Sequence, residues 1–270
     1  MNQININNLS GGYTEKDRVF KNINLSLKTG EVTCLLGENG CGKTTILKSL
    51  LGILPVYEGD IKFNKIDILK LNDVERSKIL AYIPQAHETP YAFTVEEVVL
   101  MGRVSYFNIF SREDKRNTLI ARKYMDLVGI TDIKDRPYNK LSGGQQQLAI
   151  IARALSQESK FLLMDEPTNN LDFGNQYKIL DLINHLKLDM NLGVLMVTHD
   201  PQHCFYIADN VIILKQGEIK SLGKVDEVLN SKSLTELYGI EIGVNNIKTD
   251  NSNQKICFLK SKGEKNEKNK

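Results

Sequence analysis

The 270-residue chain is 41% hydrophobic and 25% charged, with a formal net charge of +2, a balance that suits a globular protein with a sizeable core. So small a charge gives no global basic field of the kind that holds nucleic acid, and no apolar run approaches the ~20 residues a membrane span needs. The N-terminal MNQININNLS has no basic segment followed by an apolar one, so it does not read as a signal peptide. Cys34, Cys41, Cys204 and Cys257 lack metal-ligand spacing and read as reduced thiols of a cytosolic protein.

Residues 2–9 alternate, with Ile4, Ile6 and Leu9 on one face, the pattern of a half-buried strand. Ser10–Tyr13 (SGGY) reads as a turn, and Ile23, Leu25 and Leu27 mark a second alternating strand over 22–28. The pair predicts a small antiparallel sheet. Tyr13 ends the first strand, where it either packs beside the turn or stacks on a nucleobase.

Glu31–Leu36 is a short apolar, β-prone run, and Gly37–Thr45 then reads GENGCGKTT. This fits G-x-x-x-x-G-K-[ST], with Gly37, Gly42, Lys43 and Thr44 in the fixed places. Glycines let such a loop turn consecutive N–H groups toward a phosphate chain, and the helix that follows adds its positive end. Lys43 reaches the β- and γ-phosphates and the Thr44 hydroxyl ligates Mg²⁺. Asn39, Gly40 and Thr45 belong to the same candidate phosphate-binding loop. The helix carries Ile46, Leu47, Leu50 and Leu51 on one side and stops at Gly52, with Pro55 soon after. Cys41 lies beside Lys43 and a helix N-terminus, both of which favour thiolate. It is expected to be reactive and shielded by ATP, unless it is a small filler residue.

Gly59–Asn64 and Ala81–Gln85 read as strands, the second stopped by Pro84. From Thr94 to Gln157 the pattern is helical, opening on a capping box of Thr94 with Glu97. Asp114–Leu127 and its continuation place Leu119, Ile120, Tyr124, Leu127 and Val128 near a period of 3.6. Lys160–Pro167 (KFLLMDEP) returns to a buried parallel strand, with Asp165 and Glu166 at the end where sites form in α/β proteins. A helix over 175–188 turns Ile179, Leu182, Ile183 and Leu186 inward, and Gly193–Asp200 is a buried strand ending in His199. Val211–Gly223 is a hairpin turned at Gln216–Gly217. Two short helices follow near 225–230 and 233–238, and from about Gly239 the chain is polar.

One stretch gathers these parts. Leu141–Gln145 reads LSGGQ. With Gly37–Thr45, Gln85, Asp165–Glu166, Leu171–Asp172 and His199, it makes the chain resemble the ATP-binding cassette (ABC) ATPase family over about residues 1–240. The resemblance implies an α/β P-loop NTPase (RecA-like) core, 1–85 and 159–240, with an N-terminal antiparallel β subdomain. It also implies an α-helical subdomain inserted at about 86–158, and leaves 241–270 as a polar tail. It assigns Tyr13 to adenine stacking, Gln85 to Mg²⁺ and the attacking water, Asp165 to the Mg²⁺ shell, Glu166 to the general base and His199 to the γ-phosphate. Ser142, Gly143, Gly144 and Gln145 would face the γ-phosphate of ATP on a second copy in a head-to-tail dimer, and Asp172 would cross that interface. His203 matches no motif and takes a structural reading.

The resemblance further implies partners: integral-membrane permease subunits, and indirectly a substrate-binding protein, at the cytoplasmic face of a membrane. Pro90–Arg103 and Thr168–Gln176 are similar to the importer ATPases for iron–siderophore, haem and vitamin B12. Leu171–Gln176 and Leu141–Leu148 are also similar to molybdate/tungstate relatives. Soluble ABC proteins of DNA repair or translation are the other class, and they usually carry coiled-coil insertions or two cassettes. Gln146 and Gln147 stand where many members have a basic residue. The aromatics Tyr91, Phe93, Tyr106, Phe107 and Phe110 are expected in part to line a permease groove, around Tyr91 and Met101–Phe107.

Overall fold

The computed structural model describes residues 2–85, 93–106, 115–248 and 253–260. Strands β1 (Gln3–Gly12) and β2 (Arg18–Lys28) pair antiparallel, and β3 (Val32–Leu36) leads through the glycine loop into α1 (Lys43–Leu50). Then come β4 (Val56–Phe63), β5 (Ile66–Asp67), α2 (Asp73–Ser77) and β6 (Leu80–Ile83). The helical block holds α3 (Val95–Leu100), α4 (Lys115–Leu127) and α5 (Gly143–Ser156). The chain returns through β7 (Phe161–Asp165), α6 (Phe173–Met190), β8 (Gly193–Thr198), α7 (Pro201–Ile207), β9 (Asn210–Lys215) and β10 (Glu218–Lys224). It closes with α8 (Val225–Val228), α9 (Ser231–Tyr238), β11 (Ile242–Lys248) and β12 (Asn253–Leu259).

The central sheet has the order β10-β9-β3-β8-β7-β6, parallel except for β10. Every residue of β3, β7 and β8 is buried, as continuous apolar strands covered on both faces must be. An antiparallel sheet, β2-β1-β4-β5, packs Ile4, Ile6, Leu9, Phe20, Ile23 and Leu27 against one side of α1 and the central sheet. On the other side α3, α4, α5 and α6 share a core with Val32, Leu36, Ala81 and Met164.

Three features differ from the sequence expectation. Ser10–Gly12 are strand, not turn, and the hairpin loop falls at 13–17, where the Asp17 N–H donates to Thr14 Oγ1. A side chain at Gly11 would meet the Phe20 ring and the Pro55 carbonyl within 2.8 Å. That glycine therefore permits close packing rather than a bend. In α4 the period is right but the phase is shifted. Ala121, Tyr124 and Met125 face the core, while Leu119 and Leu127 are exposed. Helix α4 packs on α3 and α5, and small residues let it sit close. The polar stretch after Gly239 folds into the β11–β12 hairpin, which Ser231 and Thr235 of α9 hold through the N–H groups of Val244 and Ile242. One face of this two-stranded ribbon is wet, so its apolar residues are too few to stand out.

The Gln216–Gly217 turn is as expected, with both residues at positive φ (52° and 74°). Within the helical block Arg103 is 3% exposed and donates to Asn117 Oδ1 (2.9 Å), the Ser156 carbonyl (2.6 Å) and Glu158 Oε2 (2.9 Å). Its guanidinium also lies 3.8 Å from the Tyr106 ring centre. One buried cation thus ties the turn after α3 to α4 and to the end of α5. Arg103→Ala would leave those acceptors without their donor, and should cost about 3 kcal/mol in urea denaturation.

Candidate nucleotide site

Gly40 and Gly42 turn the loop after β3 at φ 78° and 106°, values a side chain rarely adopts. Helix α1 then starts with no side-chain cap. The N–H groups of Lys43, Thr44 and Thr45 therefore have no acceptor within the helix. By contrast α3 and α5 each open on a full capping box. The uncapped end lines a cleft of about 680 Å³, shared with Tyr13, Asn39, Gly40, Gly42, Gln85, Glu166, Asn169 and His199. A pocket with convergent N–H donors at a helix start takes an anion. Lys43 is 6% exposed, and its ammonium donates to the Gly37 and Glu38 carbonyls, each at 2.8 Å.

The carboxylates come from the neighbouring strand end. Asp165, the last residue of β7, is 2% exposed and accepts from the Thr44 hydroxyl at 3.1 Å and the Tyr82 phenol at 3.4 Å. Burial pushes its carboxyl above the ordinary range, and the Thr44 hydrogen bond opposes that shift. Glu166 follows at φ 49°, a left-handed conformation for a residue with a side chain. Gln85 Nε2 donates to Glu166 Oε2 at 3.0 Å, and Asn169 Nδ2 donates to the same oxygen at 3.2 Å. His199 Nδ1 lies 3.3 Å from Oε1. Both carboxylate oxygens are thus engaged, from three separate parts of the chain.

The structure gathers Tyr13, Asn39, Gly40, Gly42, Lys43, Thr44, Thr45, Gln85, Glu166 and His199 around one cleft. Gly37 lies at the root of the loop, where its carbonyl accepts from Lys43. Ser142–Gln145 and Asp172 do not line that cleft. Ser142 caps α5, with Gln145 completing its capping box. Asp172 caps α6, accepting from the Asn175 N–H and Nδ2, which holds its carboxyl below the usual range. The two helix starts are neighbours: a side chain at Gly144 would meet Asn175 at 3.3 Å.

Sequence reasoning missed Asn169, Tyr82 and Val19. Asn169 sits three residues after Glu166 in one turn, a spacing that could have revealed it. Tyr82 reaches Asp165 only because β6 pairs parallel with β7, and no local pattern shows that pairing. Val19 lines the cleft from β2. Two further residues are settled by burial. His203 is 5% exposed, within reach of the Thr168 and Thr198 hydroxyls, and burial lowers its pKa. The expectation of a reactive Cys41 is overturned. Its sulfur points toward Gly37, not into the cleft, and joins the core with Leu35 and Leu214. Burial raises its thiol pKa, and Lys43 opposes that only in part.

A strand, a phosphate loop at an uncapped helix and a buried Asp–Glu pair on the next parallel strand but one define a P-loop ATPase. The sequence profile of the ABC transporter family matches residues 20–169. The chain belongs to that family and is an ATP-binding, ATP-hydrolysing subunit of the kind that works with membrane permeases. It is 33% identical to the iron(3+)-hydroxamate import ATP-binding protein FhuC of Bacillus subtilis, over 96% of this chain and 95% of that one. Its identity to the molybdate import ATP-binding protein MolC of Haemophilus influenzae is 34%, over 87% of each chain. An inward-facing metal-chelate type ABC transporter contains a chain that superposes with a TM-score of 0.86 at 30% identity, covering 97% of this chain and 99% of that one. No helix among the described residues is long and apolar enough to cross a membrane.

Two outcomes follow from the buried groups. Alkylation of Cys41 should be slow, with little difference between ATP-free and ATP-bound protein, in timed labelling followed by mass spectrometry. Asp165, with its raised pKa, contributes stability that is full below the ordinary carboxyl range and is lost as pH rises through the raised value. Near neutral pH its charge burdens the nucleotide-free fold. Asp165→Asn should therefore raise the thermal midpoint there, and the gain should shrink toward about pH 4.

Proposed function

We propose that this chain powers import of a metal chelate (an iron–siderophore, haem or cobalamin) through a membrane permease, with Glu166 as the base that activates water on ATP. The observation that carries the catalytic part is the position of Glu166. It is buried at the rim of the phosphate loop, with Gln85, Asn169 and His199 all on its carboxylate. A carboxylate held in one orientation is prepared to take a proton from water in line with a phosphate. Tyr13 is 60% exposed at the mouth of the cleft, free to stack on adenine.

The residues present also fit Mg²⁺. Thr44 and Asp165 set a hydroxyl against a buried carboxylate that accepts from the neutral Thr44 and Tyr82 hydroxyls, the hard oxygen donors this ion takes. Gln85 would complete the set. Once bound, the ion would neutralise charge on the β- and γ-phosphates. Lys43 would exchange its carbonyl acceptors for phosphate oxygens, and His199 would orient Glu166 and meet the γ-phosphate.

Ser142–Gln145 present a second helix start away from the cleft. We assign them, with Asp172, to the γ-phosphate of ATP on a second copy in a head-to-tail dimer. The division into core (1–85 and 159–240), helical insertion (about 86–158) and C-terminal segment (241–270) suits this closure. We place the subunit at the cytoplasmic face of a membrane, with a substrate-binding protein as an indirect partner. A cleft of about 560 Å³ between the core and the helical block, lined by Leu51, Ile53, Arg76, Met101 and Gly102, is the proposed permease seat. Tyr91 and Phe107 of the expected groove, and the nearby Phe110, lie outside the described residues. Phe93 packs on the core and Tyr106 on Arg103.

The near full-length match to the hydroxamate importer ATPase favours the metal-chelate reading. The molybdate relative keeps oxyanion import as the alternative. Glu166→Gln should keep ATP binding and lower turnover at least 100-fold in a phosphate-release assay. Wild-type turnover would overturn the role of Glu166. Lys43→Ala should lose both binding and turnover. In proteoliposomes holding the permease and binding protein, metal chelates should stimulate ATP hydrolysis. Stimulation by molybdate alone would select the alternative.

A further inference from the structure

His199 is held at its backbone as well as at its side chain. Its side chain is half exposed, and its contact with Glu166 Oε1 at 3.3 Å spans the site. Half of the imidazole is open to solvent, so the backbone that carries it helps to set where it sits. That backbone lies between the end of β8 and the start of α7. Asp200, the next residue, caps α7 by accepting from the Gln202 N–H at 2.7 Å, and its own N–H donates to Thr198 Oγ1 at 3.1 Å. The His199 carbonyl has a partner from elsewhere. The Tyr238 phenol, at the last residue of α9, donates to it at 2.6 Å.

Tyr238 is itself braced. Gly239 ends α9 in the left-handed conformation, and the chain turns directly into the β11–β12 hairpin. Thr235 and Ser231 of α9 accept from the hairpin N–H groups of Ile242 and Val244, each at 3.0 Å. On its other side the hairpin is tied to α7. Gln202 Nε2 donates to the Lys255 carbonyl at 3.0 Å, and Gln202 Oε1 accepts from the Cys257 N–H at 3.3 Å. Hydrogen bonds therefore link α9 to the hairpin and the hairpin to α7, and the Tyr238–His199 bond completes the circuit through the backbone that leads into α7.

We propose that Tyr238 is a positioning residue for ATP hydrolysis: its hydroxyl fixes the His199 carbonyl, and so sets the imidazole against Glu166. The proposal rests on the catalytic reading of Glu166 and His199 given above. It gives α9, and the hairpin that braces it, a part in turnover that the motifs alone do not reveal. A short phenol–carbonyl hydrogen bond resists rotation of the peptide that carries the imidazole. Losing it would leave a half-exposed side chain free to sample orientations away from Glu166, and small losses of alignment weigh heavily on rate. Most of the ATP binding would be kept, because the phosphate loop and Tyr13 lie on other elements and His199 would meet only the γ-phosphate.

Tyr238→Phe removes one oxygen and keeps the ring packed against the core. The expected result is a five- to tenfold fall in kcat, with KM for ATP and the affinity for a fluorescent ATP analogue within twofold of wild type, and a thermal midpoint within a few degrees. In a His199→Ala background, Tyr238→Phe should lower the residual rate no further, since the hydroxyl acts through His199. An unchanged kcat in Tyr238→Phe, a loss matched by weaker ATP binding, or an equal extra loss without His199 would each overturn the proposal. Glu166→Gln, assayed in parallel, separates the two claims. Wild-type turnover there sinks the catalytic reading itself. An unchanged Tyr238→Phe beside an inactive Glu166→Gln sinks only the tie.

Discussion

The parallel pairing of β3, β8 and β7 is the constraint on which the site depends. Leu36 pairs with Thr198, and Asp165 with Val197, so three strands far apart in sequence end at one level. The phosphate loop, His199 and the Asp165–Glu166 pair leave from those ends. A parallel strand offers only its C-terminal edge for such work, because its faces are covered by other layers. The antiparallel sheet and the helical block supply those covers and also reach the cleft: Tyr13 and Val19 from the first, and Gln85 at the boundary of the second.

Charge then sets the character of the cleft. Asp165 and Glu166 are adjacent and buried, next to a lysine whose ammonium faces carbonyls rather than either carboxylate. Such a site is ill at ease without ligands and is relieved by a cation and a phosphate together. Stability of the nucleotide-free chain is given up for affinity, the balance expected where function and folding make opposite demands.

The phosphate loop and the catalytic carboxylates were legible because their chemistry demands residue types at fixed spacing along one segment. Gly37–Thr45, Asp165–Glu166 and the capped Ser142–Gln145 turn needed no tertiary information. Contacts across the fold were not legible. Tyr82 reaches Asp165 through strand pairing, and Tyr238 reaches His199 from a helix near the chain's end; neither leaves a local pattern. The β1 turn was misplaced because a glycine that permits close packing looks like one that permits a bend. Leu119 and Leu127 were misassigned because helical period survives a shift of phase, and Ala121 carries little weight as an apolar marker. Cys41 shows the limit of arguing from neighbours: Lys43 is two residues away in sequence, yet the thiol turns toward the core.

The acceptors of Lys43 have a consequence for how nucleotide comes and goes. Its ammonium already has two carbonyl partners before any phosphate arrives. Binding therefore trades one set of charge-assisted hydrogen bonds for another, and the net gain is only the difference between them. The same carbonyls are waiting when product leaves. A motor that must discharge its spent fuel on every stroke is served by a lysine that is never left without company, because this cation at least is not stranded when the site empties.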